Sequence, residues 1–309
     1  MILQRTIKSS TTISGIGLHT GARINLRLRP ATANTGIIFH RTNGERSVDI
    51  KACAENVVDT RMATVLGHDG LTVSTVEHFM AALAACGIDN LHVDIDGPEV
   101  PILDGSAAPF IREILQIGVS DLGSSRRFVA IRKPLEIIEG EKRISIIPSR
   151  FFRITFDIAF DHPAISVQQF SMKFTTENFC KDIAPARTFG FLEEVEYLKA
   201  NGLARGGSLE NAVVIDSKGV MNPEGLRFQD EFVRHKILDS FGDFSLLGAP
   251  LLGHIRAFKA GHDLNAKLVR KILDTPSHWS YVEFNEQALQ EAQRVSARAF
   301  AVDLAWSKA

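Results

Sequence analysis

Two short stretches carry side chains that could share one reaction. In STVEHFMAALAACG an acid and an imidazole, Glu77 and His78, stand together at the head of an apolar run. In FVRHKILDSFGD, His235 and Asp239 are four apart, so on a helix they share one face, and Asp243 continues it a turn later. The metalloprotease pattern H-E-x-x-H is excluded, because the order is Glu-His and the residue four beyond His78 is Ala82. Together His78, His235 and Asp239 offer two nitrogens and one carboxylate oxygen, the three-ligand set of a catalytic zinc site with a fourth position for water. With a single carboxylate such a site keeps a net positive charge, which helps acidify that water to a pKa of about 7. Glu77, tethered beside a ligand, would be its general base. The same ligands describe a non-haem iron site, so ligand chemistry alone leaves hydrolase and oxygenase both open.

Each stretch also has a plainer reading. Ser74-x-x-Glu77 has the spacing of a capping box, with Ser on the N3 amide and Glu reaching back to the cap amide. The His-Asp-Asp stripe, set opposite Val233, Ile237, Leu238 and Phe241, reads as the solvated side of an amphipathic helix. A third place is FKAGHDLNAKL, where His262 follows a glycine just past a strand, at an edge where loops carry function. A histidinium there, near a carboxylate such as Asp243 that raises its pKa, would supply the proton that an amide's leaving amine needs. Thr188 in PARTFGF is a hydroxyl able to donate to an oxyanion, and equally an ordinary turn residue. His19 lies in GIGLHTG, whose glycines imply a tight loop close to ligand or backbone; its spacing fails the dinucleotide fingerprint.

The elements that must position these residues are legible as a mixture. ARINLRLRP alternates at Ile24, Leu26 and Leu28, TGIIFHR is a second strand, and LHVDIDG a third with Leu91, Val93 and Ile95 on one side. Between them Ser74 to Cys86 reads as a helix stopped by Gly87, and PFIREILQIG as another. GSSRRF at 123–128 is the best linker, and FVAIRKPLEIIEG, RISIIPS and FRITFDIAF follow as strands. Then come a helix at FLEEVEYLKANG, a strand at NAVVID, the long helix near FVRHKILDSFGDFSLLG and a strand at GHIRAF. The order predicts an α+β fold of two sandwich domains, 1–125 with the Glu-His motif and 126–309 with the His-x-x-x-Asp helix.

Composition narrows the function classes. Hydrophobic residues make up 45% of 309, enough for ordinary cores, and a formal net charge of −1 carries no basic block of the kind nucleic-acid binding leaves. The amino terminus lacks a secretory core, and no segment approaches the roughly 20 apolar residues of a membrane span. Cys53, Cys86 and Cys180 are odd in number and scattered, which fits buried or idle thiols in a reducing compartment. A cytoplasmic protein with no obligate protein partner is the expectation.

At this point the order and spacing of GIGLHTG, STVEHFMAALAACGIDNLHVDIDG, PILDGSAAPF, ARTFGF, GLRFQDEFVRHKILDSFGD and KAGHDLNAKL resemble the UDP-3-O-acyl-N-acetylglucosamine deacetylases, zinc enzymes of lipid A biosynthesis in Gram-negative bacteria. The resemblance implies two α+β domains, each a mixed sheet packed by helices, with the active site at their interface. It implies zinc on His78, His235 and Asp239 (ferrous iron also fits), Glu77 as base, His262 as acid or electrostatic partner oriented by Asp243, and Thr188 at the oxyanion. Lys236 and Lys259 would meet the acetyl-sugar and diphosphate, and Phe160 the uridine. Phe189 and the segment from Phe191 to Leu203 match an inserted acyl-chain passage. His19 is carried as a further substrate-side residue. The acylated substrate makes transient contact with the inner-membrane surface an expectation. No functional residue is carried onto the stretch from Ala63 to Leu66.

Overall fold

A computed structural model describes residues 1–200 and 202–284. Alternating apolar residues build the first large sheet, in the order Thr11–Ile16, Arg23–Pro30, Leu91–Ile95, Ile37–Asn43, Arg46–Lys51. Ile24, Leu26, Leu28, Leu91, Val93 and Ile95 face inward and are buried, as their period-2 spacing requires. Helices α1 (Glu77–Cys86) and α2 (Ala108–Ile117) lie in the first half; Phe79 of α1 meets Phe39 of the sheet edge to face at 6.1 Å and Phe110 of α2 at 5.4 Å. Gly87 ends α1 in the left-handed region at φ 71°, where a Cβ is disfavoured.

The second large sheet is centred on Leu251–Phe258. Lys142–Ile147 flanks it on one side, followed by Leu135–Glu139. On the other side Arg127–Ile131 pairs with its first residues and Phe152–Ala159 with the rest, both parallel. Trp279–Glu283 and Val167–Lys173 extend those two strands. Phe189–Phe191, Val213–Asp216 and Gly219–Val220 form a small separate sheet. The remaining helices are α3 (Thr176–Asp182), α4 (Leu192–Ala200), α5 (Glu231–Ser245) and α6 (His262–Leu273). Helices α5 and α6 pack on the second sheet, and α5 also packs directly against α1, so helices from both halves lie between the two sheets. The fold is α+β, as the element order implies.

Three expectations fail on local structure. Helix α1 starts at Glu77, not Ser74; Val76 is its N-cap, and the Ser74 hydroxyl donates to the Pro98 carbonyl (3.2 Å). The capping box therefore does not form, because Ser74 is drawn into a bridge with Glu99. The GSSRRF stretch is no free linker: Val119–Ser125 pairs antiparallel with Leu3–Ile7, and the next strand begins at Arg127. The polar stripe of α5 is not solvated. His235, Asp239 and Asp243 are all buried, because α1 covers the side that faces away from the sheet. The last residues of the predicted second domain lie outside the described residues.

Candidate active site

Close crossing of two helices creates the site. Gly242 of α5 lies against the backbone of Glu77, and a Cβ there would stand 2.0 Å from the Glu77 carbonyl oxygen. Only glycine permits that approach, which brings the first turn of α1 beside the middle of α5. His78 Nε2 then lies 3.4 Å and His235 Nε2 3.2 Å from the same oxygen, Asp239 Oδ1. The two imidazoles meet edge to face, with ring centroids 4.9 Å apart. The His235 Nδ1–H donates to the Ala186 carbonyl (3.0 Å), which fixes the tautomer that turns Nε2 toward the carboxylate.

These three side chains fit a divalent metal on two observations. Asp239 Oδ1 is buried and receives no hydrogen bond, a costly arrangement unless something cationic meets it. The ligand atoms all lie within 4.8 Å of one another, and tetrahedral bonds of about 2.0–2.1 Å call for donor separations of roughly 3.3 Å. The other Asp239 oxygen takes an ion pair from Lys236 Nζ (3.0 Å). Burial disfavours the Asp239 anion, yet His235 and Lys236 outweigh it and hold its carboxyl well below the usual range. Burial likewise lowers the His78 pKa, which favours the neutral, ligating imidazole.

Glu77 and His262 flank this trio. Glu77 Oε2 accepts the Thr64 amide hydrogen bond (3.0 Å), and Oε1 lies 3.8 Å from His262 Nε2. Burial pushes the Glu77 carboxyl up to about 7; His262 opposes that shift, and Asp239 and Asp243 add to it. His262 shifts upward for a different reason. Burial works against its cation, but the carboxylates of Asp243 and Glu77 prevail and push it up to about 9. Asp243 Oδ2 accepts from His262 Nδ1 and from Asn265 Nδ2 (both 2.9 Å), while Oδ1 accepts from the Thr64 hydroxyl (2.5 Å). His262 is the first residue of α6 rather than a loop residue, so the helix that sequence reading missed aims it.

A cavity of about 100 Å³ opens onto this group, lined by Glu77, His78, His235, Asp239, His262, Lys236, Thr188, Phe189 and His19, with Leu18, Met62, Ala63 and Thr75. Seven expected site residues besides the trio can thus be traced here: Glu77, His262, Thr188, Lys236, Phe189 and His19 reach the cavity wall, and Asp243 stands behind His262. Phe160 is not on the wall; it packs on Phe189 and Phe191, each with centroids at 5.9 Å. Lys259 is not brought to the wall either, and pairs with Glu141 at 2.7 Å.

Three supports went unread in the sequence. Thr64 touches both Glu77 and Asp243, although nothing in RMATVL distinguishes it. Glu99 is fully buried and accepts from the His19 and Thr20 amides and the Thr20 and Thr75 hydroxyls, so it holds the GIGLHTG loop against the cavity. Arg187, also buried, clamps Glu231 of α5 with its amide and its guanidinium. A buried charge with a distant partner leaves no periodic signal in a single sequence.

A His-His-Asp donor set with Glu77 and His262 beside it on one cavity fits the class of metal-dependent hydrolytic enzymes. The particular family comes from comparison. Residues 4–274 match the family described as UDP-3-O-acyl N-acetylglycosamine deacetylase. Proteins called UDP-3-O-acyl-N-acetylglucosamine deacetylase are 64% identical in Syntrophotalea carbinolica (93% of each chain covered), 58% in a Geobacter species (93% and 94%) and 53% in Myxococcus xanthus (93% and 91%). The chain belongs to this family of amide-hydrolysing enzymes of lipid A biosynthesis.

Proposed function

We infer that this chain hydrolyses the 2-acetamido group of UDP-3-O-acyl-N-acetylglucosamine, giving the free amine and acetate, with His78, His235 and Asp239 holding zinc. When bound, the metal supplies a Lewis acid that polarises the acetyl carbonyl and acidifies water. Glu77 takes the proton of the attacking water; its carboxyl titrates near neutrality and the Thr64 amide aims it. The attack turns the planar amide into a tetrahedral adduct, and the Thr188 hydroxyl on the cavity wall donates to its oxyanion. His262, kept cationic by Asp243, passes a proton to the departing nitrogen. Lys236 shares the wall and orients the acetyl-sugar.

The softer assignments follow the same layout. His19 lies on the wall from the first half, and Phe189 joins the wall to the Phe160–Phe191 cluster, where uridine and acyl chain would meet apolar rings. Lys259 serves the diphosphate once it leaves Glu141. The two domains are 1–125 and 126–309, and the enzyme works in the cytoplasm. Among the described residues no helix is long and apolar enough to cross a membrane. Ferrous iron suits the same donors for the same hydrolysis. An oxygenase reading is less well supported, because two ligands are on α5 and the third on α1.

The observation that carries the reading is the juxtaposition of an orphaned ligand oxygen with an acid and a base on one cavity. Its test is acetate release together with metal content. Glu77→Gln is expected to keep its metal and lose about 10²–10⁴-fold in kcat, whereas His78→Ala loses the metal itself. Turnover that consumed oxygen, or full activity in Glu77→Gln, would overturn it.

A further inference from the structure

The outer faces of the two large sheets manage charge differently. On the first, cations are paired with acids: Arg29 grips Asp94 through two contacts of 2.7 Å, and His40 meets Asp49 at 2.6 Å. On the second, the register sets Arg153 directly beside His254 on one side and Lys173 on the other. Arg256 lies two residues farther along the same strand as His254, opposite Thr155. Arg153 and Arg256 form no ion pair among the described residues, and Lys173 rests on the ring of Phe151 at 3.6 Å. The imidazole of His254 is committed to the Thr155 hydroxyl at 2.9 Å, and both arginines lower its pKa after burial does. Asp157, the carboxylate of this face, accepts from the neutral Gln169 amide and forms no ion pair with the three cations among the described residues.

Like charges directly opposite on a sheet are destabilising, so a fold that keeps three cations together, none of them ion-paired among the described residues and with one carboxylate on the face, is carrying a cost. An anion on that face removes the cost. The three cations are spread over three neighbouring strands, which suits an extended anionic surface better than a small anion that needs a concave, many-sided grip. Its borders are apolar: Val167 is 72% and Phe258 38% exposed. The strand that carries Arg256 also leads, six residues on, to His262 at the cavity.

We propose that the outer face of the second sheet, through Arg153, Lys173 and Arg256, docks on the anionic phospholipid headgroups of a bilayer. The phosphates neutralise the three cations, and Val167 and Phe258 rest at the headgroup boundary. The contact is weak and reversible, because each basic residue near such a surface contributes only about a fivefold gain in partitioning. It falls with added salt, which screens exposed charges over about 10 Å at 0.1 M.

The test is co-sedimentation of the full chain with phosphatidylcholine vesicles, with and without phosphatidylglycerol, at low and moderate salt. Binding is expected only to the phosphatidylglycerol vesicles, weakened about 25-fold in R153Q/R256Q and further by K173Q. R29Q, on the matched sheet, is expected to bind like wild type. Deacetylase turnover on dispersed substrate stays unchanged in R153Q/R256Q, and circular dichroism checks its fold. Equal binding to neutral vesicles, no binding to anionic ones, or anionic binding untouched by R153Q/R256Q overturns the proposal. Tighter capture by polyglutamate than by anionic vesicles also overturns it, in favour of an acidic protein partner.

Discussion

Replacing Arg187 by lysine separates a residue that sets the metal ligands from one that only holds the fold. Arg187 gives Glu231 its amide (2.9 Å) and two guanidinium nitrogens (2.9 and 3.1 Å), and it also reaches Glu224 and the Gly225 carbonyl. Its neighbours in sequence do other work: the Ala186 carbonyl fixes His235, and Thr188 lies on the cavity wall. Glu231 opens α5 one turn before His235. The ion pair therefore ties α5 to the loop before Phe189–Phe191, whose Ala186 carbonyl holds His235. Lysine keeps the positive charge but cannot span both carboxylate oxygens and the other two acceptors.

Losing one or two charge-assisted hydrogen bonds, at about 1.5–3 kcal/mol each, puts the cost of Arg187→Lys near 3 kcal/mol. At about 2–4 °C per kcal/mol, that lowers Tm by roughly 6–12 °C. If the pair also positions the Ala186 carbonyl, metal affinity drops about 10–100-fold, the usual loss when an outer partner of a ligating imidazole is disturbed. The assay is competition for zinc between apoprotein and a chromophoric chelator, run well below the melting transition, with kcat and KM measured separately. Arg187→Met marks the upper limit, since it leaves Glu231 buried without its counter-charge at a cost of about 3–5 kcal/mol. A lysine variant with the lower Tm but unchanged metal affinity and kcat would refute the positioning role.

Four further substitutions or profiles probe the site. The rate should rise with pH as Glu77 deprotonates and fall as His262 loses its proton, the two groups standing near 7 and 9 before any metal binds; a cation among the ligands draws both limbs lower. Glu77→Gln should remove the acid limb and His262→Gln the alkaline one in kcat/KM profiles. In the metal-free protein the raised His262 pKa adds stability that is fully present below about 6.5 and lost as pH climbs through about 9, so Asp243→Asn should flatten the alkaline fall in Tm. Gly242→Ala drives a methyl into the Glu77 carbonyl, and urea denaturation should register a loss of about 1–3 kcal/mol from overpacking with activity falling further. Thr64→Val keeps the amide on Glu77 but leaves Asp243 Oδ1 without its hydroxyl donor, at a cost of about 1–3 kcal/mol for the unsatisfied oxygen; kcat should fall with KM nearly unchanged.

What the chain discloses in one dimension depends on the range of the interaction. Residues repeating at two or four positions signal their own structure, so the strands around Leu26 and Val93 and the helix bearing His235 and Asp239 were readable. Ligand types at that spacing also picked out His78, His235 and Asp239, which the fold brings together. The Ser74 cap misled because a bridge to Glu99, twenty-five residues on, competes for the same segment. Burial of the α5 stripe depends on α1, more than 140 residues away, and no local pattern announces that partner. Thr64 and Arg187 act through contacts of this long-range kind, as does Gly242. Glycine in a helix reads as a local weakness of about 1 kcal/mol, yet here its missing Cβ lets Glu77 approach Asp239. The departure from helix propensity is thus the feature that brings Glu77 and His78 beside His235 and Asp239, and it becomes interpretable only when both helices are seen together.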